Sequence, residues 1–115
     1  MKVDIVLGEE FKRQFRRLAK KYQSLTEDFI TFIKDLESDP LQGSDLGGGT
    51  RKVRMAIASK GKGKSGGARV ITFSISQKEN EILEITLLTI YDKGEISSVS
   101  TKFIKWLIAQ LKDEE

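Results

Sequence analysis

The sequence predicts an α+β domain, in which a small and mainly antiparallel sheet has helices packed on one face. Three observations predict this class. Apolar residues alternate with polar ones in four segments, they recur at helical spacing in three others, and the segments follow the order β-α-α-β-β-β-α. Because the chain has 115 residues and no recognisable linker, we expect a single domain over 1–115.

The first half of the chain is predicted to form a strand and two helices. Lys2 to Leu7 alternates as a half-buried strand does. Residues 9–22 place apolar side chains on one helical stripe and six lysines and arginines on the other face. Ser24 and Glu27 have the spacing of a capping box, so a second helix is expected to begin there and to end at Asp39-Pro40.

The second half is predicted to form three strands and a last helix. Residues 41–49 are glycine-rich and are expected to be a flexible connector. Strand-like runs follow at about 50–58, 68–76 and 82–91, and their short links favour consecutive antiparallel pairing. Apolar residues at helical spacing over about 99–112 predict the last helix.

The composition excludes several kinds of site. The chain has no cysteine and no histidine, so a disulfide framework, a thiolate zinc site and histidine acid–base chemistry are all excluded. No apolar run is long enough to span a bilayer, and the N-terminus lacks the apolar core of a signal peptide. We therefore expect a cytoplasmic protein with no membrane partner, no metal and no cofactor.

Positive charge is concentrated in one segment. Seven of the 20 basic residues lie between positions 51 and 69, where there is no acidic residue, so the rest of the chain is net acidic. These seven are Arg51, Lys52, Arg54, Lys60, Lys62, Lys64 and Arg69. A concentration of this kind predicts a site for a polyanion.

The middle of this segment, Ala58 to Ser65, fits the relaxed spelling of a P-loop. A P-loop opens a helix, because the helix N-terminus supplies N–H donors to the phosphates. Here the next residues are strand formers, Val70 to Ile75, and we reject a nucleotide site. A solvated hairpin loop and a nucleic-acid contact remain as interpretations.

The strand before the loop has two different faces. Lys52 and Arg54 share one face with small alanines, which leaves room for a phosphodiester chain, and the apolar residues share the other. The polar residues of the next strand are expected to continue the cationic face: Thr72, Ser74 and Ser76. Arg69 alternates with them, so a twist or bulge at Gly66-Gly67 would be needed to bring it to the same face.

Residues 51–73, R-K-V-R-M-A-I-A-S-K-G-K-G-K-S-G-G-A-R-V-I-T-F, resemble the central strands of RelE/ParE-superfamily toxins, most of all the RelE/HigB-like branch. The element order over about 1–110 agrees with a RelE-like fold. The resemblance implies a bacterial toxin of a type II toxin–antitoxin system, which pairs with a cognate antitoxin. In the RelE branch such toxins are mRNA interferases, which cut mRNA in the ribosomal A site.

The resemblance also implies which residues form the site. Lys52 and Arg54 match two cations on the first hairpin strand, and Arg69 matches the arginine that opens the next strand. Lys93 matches a basic residue placed just after the last strand.

Two features of the family are missing from this chain. RelE has a tyrosine near the start of the last helix that stacks on a base, whereas Val99 falls near that position here. Tyr91 is the candidate replacement, although core packing is an equal interpretation of this residue. HigB relatives with catalytic histidines differ, because this chain has none.

RNA cleavage by such a site needs no metal, since the ribose 2′-OH can attack the adjacent phosphate. A base, an acid and cations that stabilise the crowded negative charge are needed. Neighbouring cations disfavour the protonated form of a lysine, and Lys52 is therefore the candidate base. Arg54 and Arg69 are expected to stabilise the phosphate, and Lys93 to act on the leaving 5′-oxygen.

Further cations are expected to attract RNA or the ribosome without taking part in proton transfer. They lie in the glycine-rich loop, which offers no rigid frame, and on the basic face of the first helix, for which a simply solvated face is the alternative. These residues are Lys60, Lys62, Lys64, Arg16 and Lys20. Asp92 and Glu95 are expected to restrain Lys93 or the loop.

Three functions stay open at this point. The first is a ribosome-dependent endoribonuclease toxin, the second a ParE-like toxin of the same fold that inhibits DNA gyrase, and the third a non-catalytic RNA-binding module. The basic strand and loop favour the first, and the missing tyrosine leaves room for the second. Trp106 fits either a core position or an antitoxin groove.

Overall fold

The computed structural model describes residues 2–113, whose strands form one five-stranded sheet. The strands are β1 (Lys2–Leu7), β2 (Ser44–Gly47), β3 (Thr50–Met55), β4 (Ala68–Gln77) and β5 (Ile82–Asp92). The helices are α1 (Glu9–Lys21), α2 (Leu25–Ser38) and α3 (Thr101–Asp113), and a 3-10 turn, Ala58–Lys60, follows β3. The order across the sheet is β1-β5-β4-β3-β2, with β1 parallel to β5 and the other three pairs antiparallel.

These elements confirm the predicted α+β class and the mainly antiparallel sheet. The prediction of a flexible connector over 41–49 is wrong in part, because β2 forms there and pairs with β3 at the edge of the sheet. Gly47, Gly48 and Gly49 all have positive φ, which lets the chain reverse direction between the two strands. No helix within residues 2–113 is long and apolar enough to cross a membrane.

Helices cover both faces of the sheet, so the prediction that all of them lie on one face is wrong. The core beneath α1 and α2 includes Val53, Val70 and Leu87 of the sheet. A second core, on the opposite face, joins Ile71 and Leu88 to α3. The physical reason is that central strands buried on both sides carry nearly continuous apolar runs, and β4 and β5 are such strands.

The register of β3 and β4 follows from this two-sided burial. Arg54 lies opposite Arg69, and Lys52 lies opposite Ile71. Residues directly opposite each other in an antiparallel pair project from the same face, so both arginines and Lys52 lie on the α3 face. No bulge at the glycines is required, because the irregularity lies further along β4, at Ile71 and Thr72.

The expected continuation of the cationic face by polar residues of β4 is wrong. Thr72, Ser74 and Ser76 lie opposite Leu87, Ile85 and Leu83, respectively. Those three residues of β5 belong to the core beneath α1 and α2 or pack against it. The hydroxyl-bearing side chains of β4 therefore point away from the face that holds Arg54 and Arg69.

Ser24 precedes α2 but does not form the predicted capping box. Its Oγ donates to Asp28 Oδ2 at 2.7 Å and accepts the Ser59 N–H at 2.9 Å. Asp28 also accepts the Ala58 N–H at 3.1 Å. The start of α2 is thereby bound to the 3-10 turn after β3, which holds the beginning of the glycine-rich loop in place.

Candidate active site

Three side chains form a row across neighbouring strands on the α3 face. Arg54 of β3 lies opposite Arg69 of β4, which lies opposite Tyr91 of β5. The sequence prediction brought Arg69 here only through a bulge, whereas the strand register places it here directly. Two arginines and a tyrosine thus occupy facing positions near the ends of three strands.

Arg69 is buried, with 4% of its surface exposed. Its Nη1 donates to the carbonyl oxygens of Lys64 (3.0 Å) and Ala68 (3.1 Å), and its Nη2 donates to that of Ser65 (3.0 Å). These partners are neutral, and no carboxylate among residues 2–111 pairs with either Arg69 or Arg54. Within that part of the chain the row therefore carries two positive charges without a counter-ion, an arrangement that favours an anion.

Tyr91 is buried beside these charges. Its hydroxyl has no hydrogen-bond partner among the residues that the structure describes. Burial raises the pKa of Tyr91, and the positive charge of Arg69 opposes this shift only in part. The phenol therefore stays protonated at neutral pH and is available as a hydrogen-bond donor. A buried polar group without a partner is unfavourable unless a ligand satisfies it.

A cavity of about 430 Å³ lies between the sheet and α3. Lys52 and Tyr91 line it together with the apolar side chains of Ile71, Val99 and Ile104. Val99, near the position where the family tyrosine was expected, thus contributes an apolar wall. The cavity brings the candidate base and the candidate replacement for that tyrosine into one site.

Lys93 follows β5 directly, in a turn, and is exposed to solvent. Its backbone N–H donates to the Gly67 carbonyl oxygen at 3.1 Å, which joins this turn to the residues preceding Arg69. The backbone of Lys93 therefore lies next to the residues that precede Arg69, and its role in the site stays a prediction.

A family model described as the RelE toxin of the RelE/RelB toxin–antitoxin system matches residues 10–113. The chain belongs to the RelE toxin family. It is therefore a toxin of a toxin–antitoxin system, and RelE toxins pair with an antitoxin, RelB. Toxins of this family are generally endoribonucleases. The more specific assignment to the HigB-like branch stays a prediction.

A second polar cluster of this RelE toxin surrounds Asp92. Its Oδ1 accepts hydrogen bonds from Lys60 Nζ (2.7 Å) and the Gly94 N–H (2.8 Å), and its Oδ2 accepts one from the Tyr22 hydroxyl. Burial alone would raise the pKa of Asp92, but these hydrogen bonds outweigh it and lower the pKa to about 2. The sequence suggested that Asp92 restrains the loop, and its bond to Lys60 does so.

The loop lysines of this RelE toxin are not equivalent. Lys62 and Lys64 are exposed, and the nearest acidic oxygen to Lys64 Nζ is that of Asp35, at 4.0 Å. Lys60 instead has a side chain with only 11% exposure, held by Asp92. The expectation of a lysine without a rigid frame is therefore wrong for Lys60.

The basic face of α1 is separate from the row of arginines. Arg16 and Lys20 are exposed on α1, which covers the other face of the sheet. Arg16 also borders a groove between α1 and α3 next to Trp106, whose side chain is exposed and stacks on Phe103. Trp106 is therefore a surface residue of α3 and not a core residue.

Proposed function

We propose that this toxin is a ribosome-dependent mRNA endoribonuclease that cleaves RNA by metal-independent attack of a ribose 2′-OH. The observation that carries the proposal is the row of Arg54, Arg69 and Tyr91, with two positive charges and a phenol that has no hydrogen-bond partner among the described residues. RNA supplies the anion that such a row lacks. The family assignment supports the same reaction class.

The reaction can be divided among the residues of the site. Lys52 accepts the proton of the attacking 2′-OH, and the new bond from the 2′-oxygen to phosphorus gives a cyclic phosphate. Arg54 stabilises the negative charge of the phosphate in the transition state. Lys93 supplies a proton to the 5′-oxygen as its bond to phosphorus breaks.

Arg69 and Tyr91 have more restricted roles. Arg69 already donates three hydrogen bonds to carbonyl oxygens, and these bonds hold the glycine-rich loop in place. Its positive charge stabilises the phosphate. Tyr91 donates a hydrogen bond to the bound nucleotide, since its raised pKa keeps the phenol protonated. The cavity next to Lys52 and Tyr91 accommodates the ribose or the base on one side of the scissile phosphate.

The exposed cations contribute binding without chemistry. Lys62 and Lys64 of the loop, with Arg16 and Lys20 of α1, attract ribosomal RNA or mRNA phosphates by long-range electrostatics. Lys60 is less suited to this role, because Asp92 neutralises its charge.

Primer extension on cellular mRNA after induced expression tests the proposal. Defined cuts that depend on translation support it. DNA damage of the gyrase-inhibitor type without cuts would instead indicate a ParE-like toxin, and bound RNA without either effect would indicate an RNA-binding module. Single-turnover cleavage on programmed ribosomes then measures the chemical step.

Two arginines of the same strand provide a matched pair of variants. Arg54 lies on the α3 face, whereas Arg51 lies opposite Thr72, on the other face, and is paired with Asp45 at 3.7 Å. Arg54→Gln should lower the single-turnover rate about 100-fold or more, as the loss of an oxyanion-stabilising donor does. Arg51→Gln removes the same charge from the same strand and should leave the rate nearly unchanged. Equal rates for both variants would contradict the assigned site.

A further inference from the structure

Asp92 is a buried carboxylate that the proposed reaction does not use. It lies at the end of β5 with 1% of its side chain exposed, next to Lys93 in the sequence. Three donors converge on it: the Lys60 ammonium and the Tyr22 hydroxyl, from distant parts of the chain, and the Gly94 N–H of the following turn. The ends of α1 and β5 and the glycine-rich loop therefore meet at one carboxyl group.

The ion pair of Asp92 with Lys60 differs from ordinary surface pairs. Exposed pairs contribute little because water and salt screen them. Here both partners are withdrawn from solvent and lie 2.7 Å apart. Removing Asp92 leaves the buried Lys60 charge uncompensated, and removing Lys60 leaves Asp92 with only the half-exposed Lys21 ammonium, at 3.7 Å. The pair therefore imposes a defined geometry on the segments that carry it.

The ion pair fixes one end of the Lys/Gly loop, which we define as residues 59–67. The other end is fixed by Arg69, whose guanidinium bonds the carbonyl oxygens of Lys64 and Ser65. Between the two ends, Gly61 and Gly63 have φ values of +70° and +64°, a left-handed backbone that glycine adopts readily. The loop is therefore held at both ends by buried side-chain contacts, the Lys60–Asp92 pair at one end and the Arg69 guanidinium at the other.

The same carboxylate organises the turn that carries Lys93. The Glu95 and Ile96 N–H groups donate to the Asp92 carbonyl oxygen, and the Gly94 N–H donates to its side chain. The Lys93 N–H in turn donates to Gly67, the last residue of the Lys/Gly loop. Asp92 is therefore connected to Lys93 through both the turn and the loop.

We propose that Asp92, through its ion pair with Lys60, is a positioning residue for RNA cleavage, which holds the Lys/Gly loop and the Lys93 turn in register with Arg69. This inference rests on the proposed endoribonuclease function. In this proposal Lys60 acts through its ion pair within the protein, although its neighbours Lys62 and Lys64 face solvent. Displacement of a catalytic group by about 1 Å can lower a rate about 100-fold, so loss of this contact should affect the chemical step.

Four variants of the full chain test the role: Asp92→Asn, Lys60→Met, Lys60→Arg and, as a control, Lys78→Met, which alters an exposed lysine in the turn after β4. On programmed ribosomes at saturating toxin, Asp92→Asn and Lys60→Met should lower the single-turnover rate at least about 30-fold per folded molecule. Their dissociation constants for the ribosome should change much less, by about 3-fold at most, because each substitution alters the net charge by only one. Lys60→Arg keeps the charge and should recover most of the rate. Lys78→Met should leave the rate unchanged.

Hydrogen exchange provides a readout that does not depend on cleavage. The amides of Lys60, Gly61, Gly67 and Lys93 are all hydrogen-bonded to the backbone. They should exchange at least about 10-fold faster in Asp92→Asn and Lys60→Met than in the parent chain or in Lys78→Met, since a less stable segment opens more often. Unchanged exchange in both pair variants would overturn the proposal even if the parent chain does not cut RNA.

The outcomes separate this inference from the proposed function. If the parent chain cleaves and both pair variants cleave at the parent rate, the positioning role is wrong and the endoribonuclease function stands. A rate that falls only in proportion to the folded fraction, measured by circular dichroism, would also overturn the positioning role. If Asp92→Asn does not fold, the comparison of Lys60→Met with Lys60→Arg decides whether the positioning role holds.

Discussion

Arg54 and Arg69 lie directly opposite each other in the β3–β4 pair, with both side chains on the face that α3 covers. Like charges in this relationship destabilise an antiparallel pair. Arg69 is buried and bonded to carbonyl oxygens, so it cannot turn away from its neighbour as an exposed side chain can. The strand pairing therefore places two arginines at facing positions, one buried and one exposed, and a phosphate bound between them would offset the repulsion.

Replacing Arg54 should make the free protein more stable and the toxin inactive. Arg54→Thr removes the repulsion and retains a strand-forming residue, and it should raise the free energy of unfolding by roughly 0.5 kcal/mol at low salt. The gain should shrink as salt screens the charges. Urea unfolding at two salt concentrations measures it. Arg51→Thr, which loses the contact with Asp45, should give no gain. If Arg54→Thr is less stable than the parent chain, repulsion between Arg54 and Arg69 does not lower the stability of the fold.

Arg69 is expected to be sensitive to geometry as well as to charge. Arg69→Lys keeps the positive charge but cannot reach the carbonyl oxygens of Lys64, Ser65 and Ala68 together. Leaving buried acceptors without partners costs about 1–3 kcal/mol each, so a loss of about 2 kcal/mol or more in unfolding free energy is expected. Thermal and urea denaturation measure the loss. Arg54→Lys, on the exposed side of the same pair, should lose little stability.

The low pKa of Asp92 predicts how stability depends on pH. Its folded-state pKa is about 2, below the ordinary value of 3.8. The stability that this shift contributes is therefore fully present above the ordinary pKa and is lost as the pH falls toward 2. The difference in unfolding free energy between the parent chain and Asp92→Asn should shrink by about 2 kcal/mol between pH 5.5 and pH 2.

Urea denaturation across that pH range is the measurement. Glu95→Gln is the matched control. Hydrogen bonds from Arg17 lower the pKa of Glu95 too, but its side chain is one-third exposed, so the corresponding pH effect should be clearly smaller. If the difference in unfolding free energy between the parent chain and Asp92→Asn does not change with pH, the folded-state pKa of Asp92 is not lowered.

Gly67 and Gly63 should respond differently to alanine. A Cβ at Gly67 would collide with the Met55 carbonyl oxygen and the Ile57 backbone nitrogen, which are parts of a rigid strand end. Gly63 has open space around it and only a positive φ of +64°. Gly63→Ala should therefore cost about 1 kcal/mol, whereas Gly67→Ala should cost several times as much. Thermal denaturation of both variants compares them, and equal losses would contradict the close approach of the strands at Gly67.

The sequence predicted those features that depend on local periodicity. Each helix and long strand has an apolar pattern, and the cationic face of β3 follows from the alternation of Lys52 and Arg54 with Val53 and Met55. The alternation was misleading in β4, where Thr72, Ser74 and Ser76 were expected on the cationic face. Ile71 and Phe73 lie on that face because a second core forms under α3, and a period of two cannot reveal which helix covers which face.

Contacts between distant segments had no signal in the sequence. Tyr22 fitted the apolar stripe of the first helix, and nothing in the pattern connects it to Asp92, 70 positions away. In the sequence Lys60 resembles its neighbours Lys62 and Lys64, because a sequence does not show whether a lysine is solvated or is buried in an ion pair. Edge strand β2 was missed for a similar reason, since its glycines form an ordered turn where a flexible connector was expected.

The exposed lysines of the Lys/Gly loop should contribute binding energy that depends on salt. Each lysine that contacts a phosphate releases counterions, and the slope of log K against log salt concentration changes by about 0.7–0.9 for each contact. Lys62→Ala/Lys64→Ala should therefore flatten the slope for ribosome binding by roughly 1.4–1.8. Arg16→Ala/Lys20→Ala should produce a similar change if the basic face of α1 also contacts ribosomal RNA.

Lys60→Ala is the control for both pairs of substitutions, because Asp92 already neutralises the Lys60 charge inside the protein. Its salt slope should equal that of the parent chain, although its cleavage rate should fall. Binding measured from low to physiological salt, together with single-turnover cleavage at saturation, gives both quantities for each variant. If Lys60→Ala flattens the slope as much as removal of one exposed lysine does, Lys60 leaves Asp92 when the ribosome binds. The ion pair would then belong to the free toxin alone and could not position the site during cleavage.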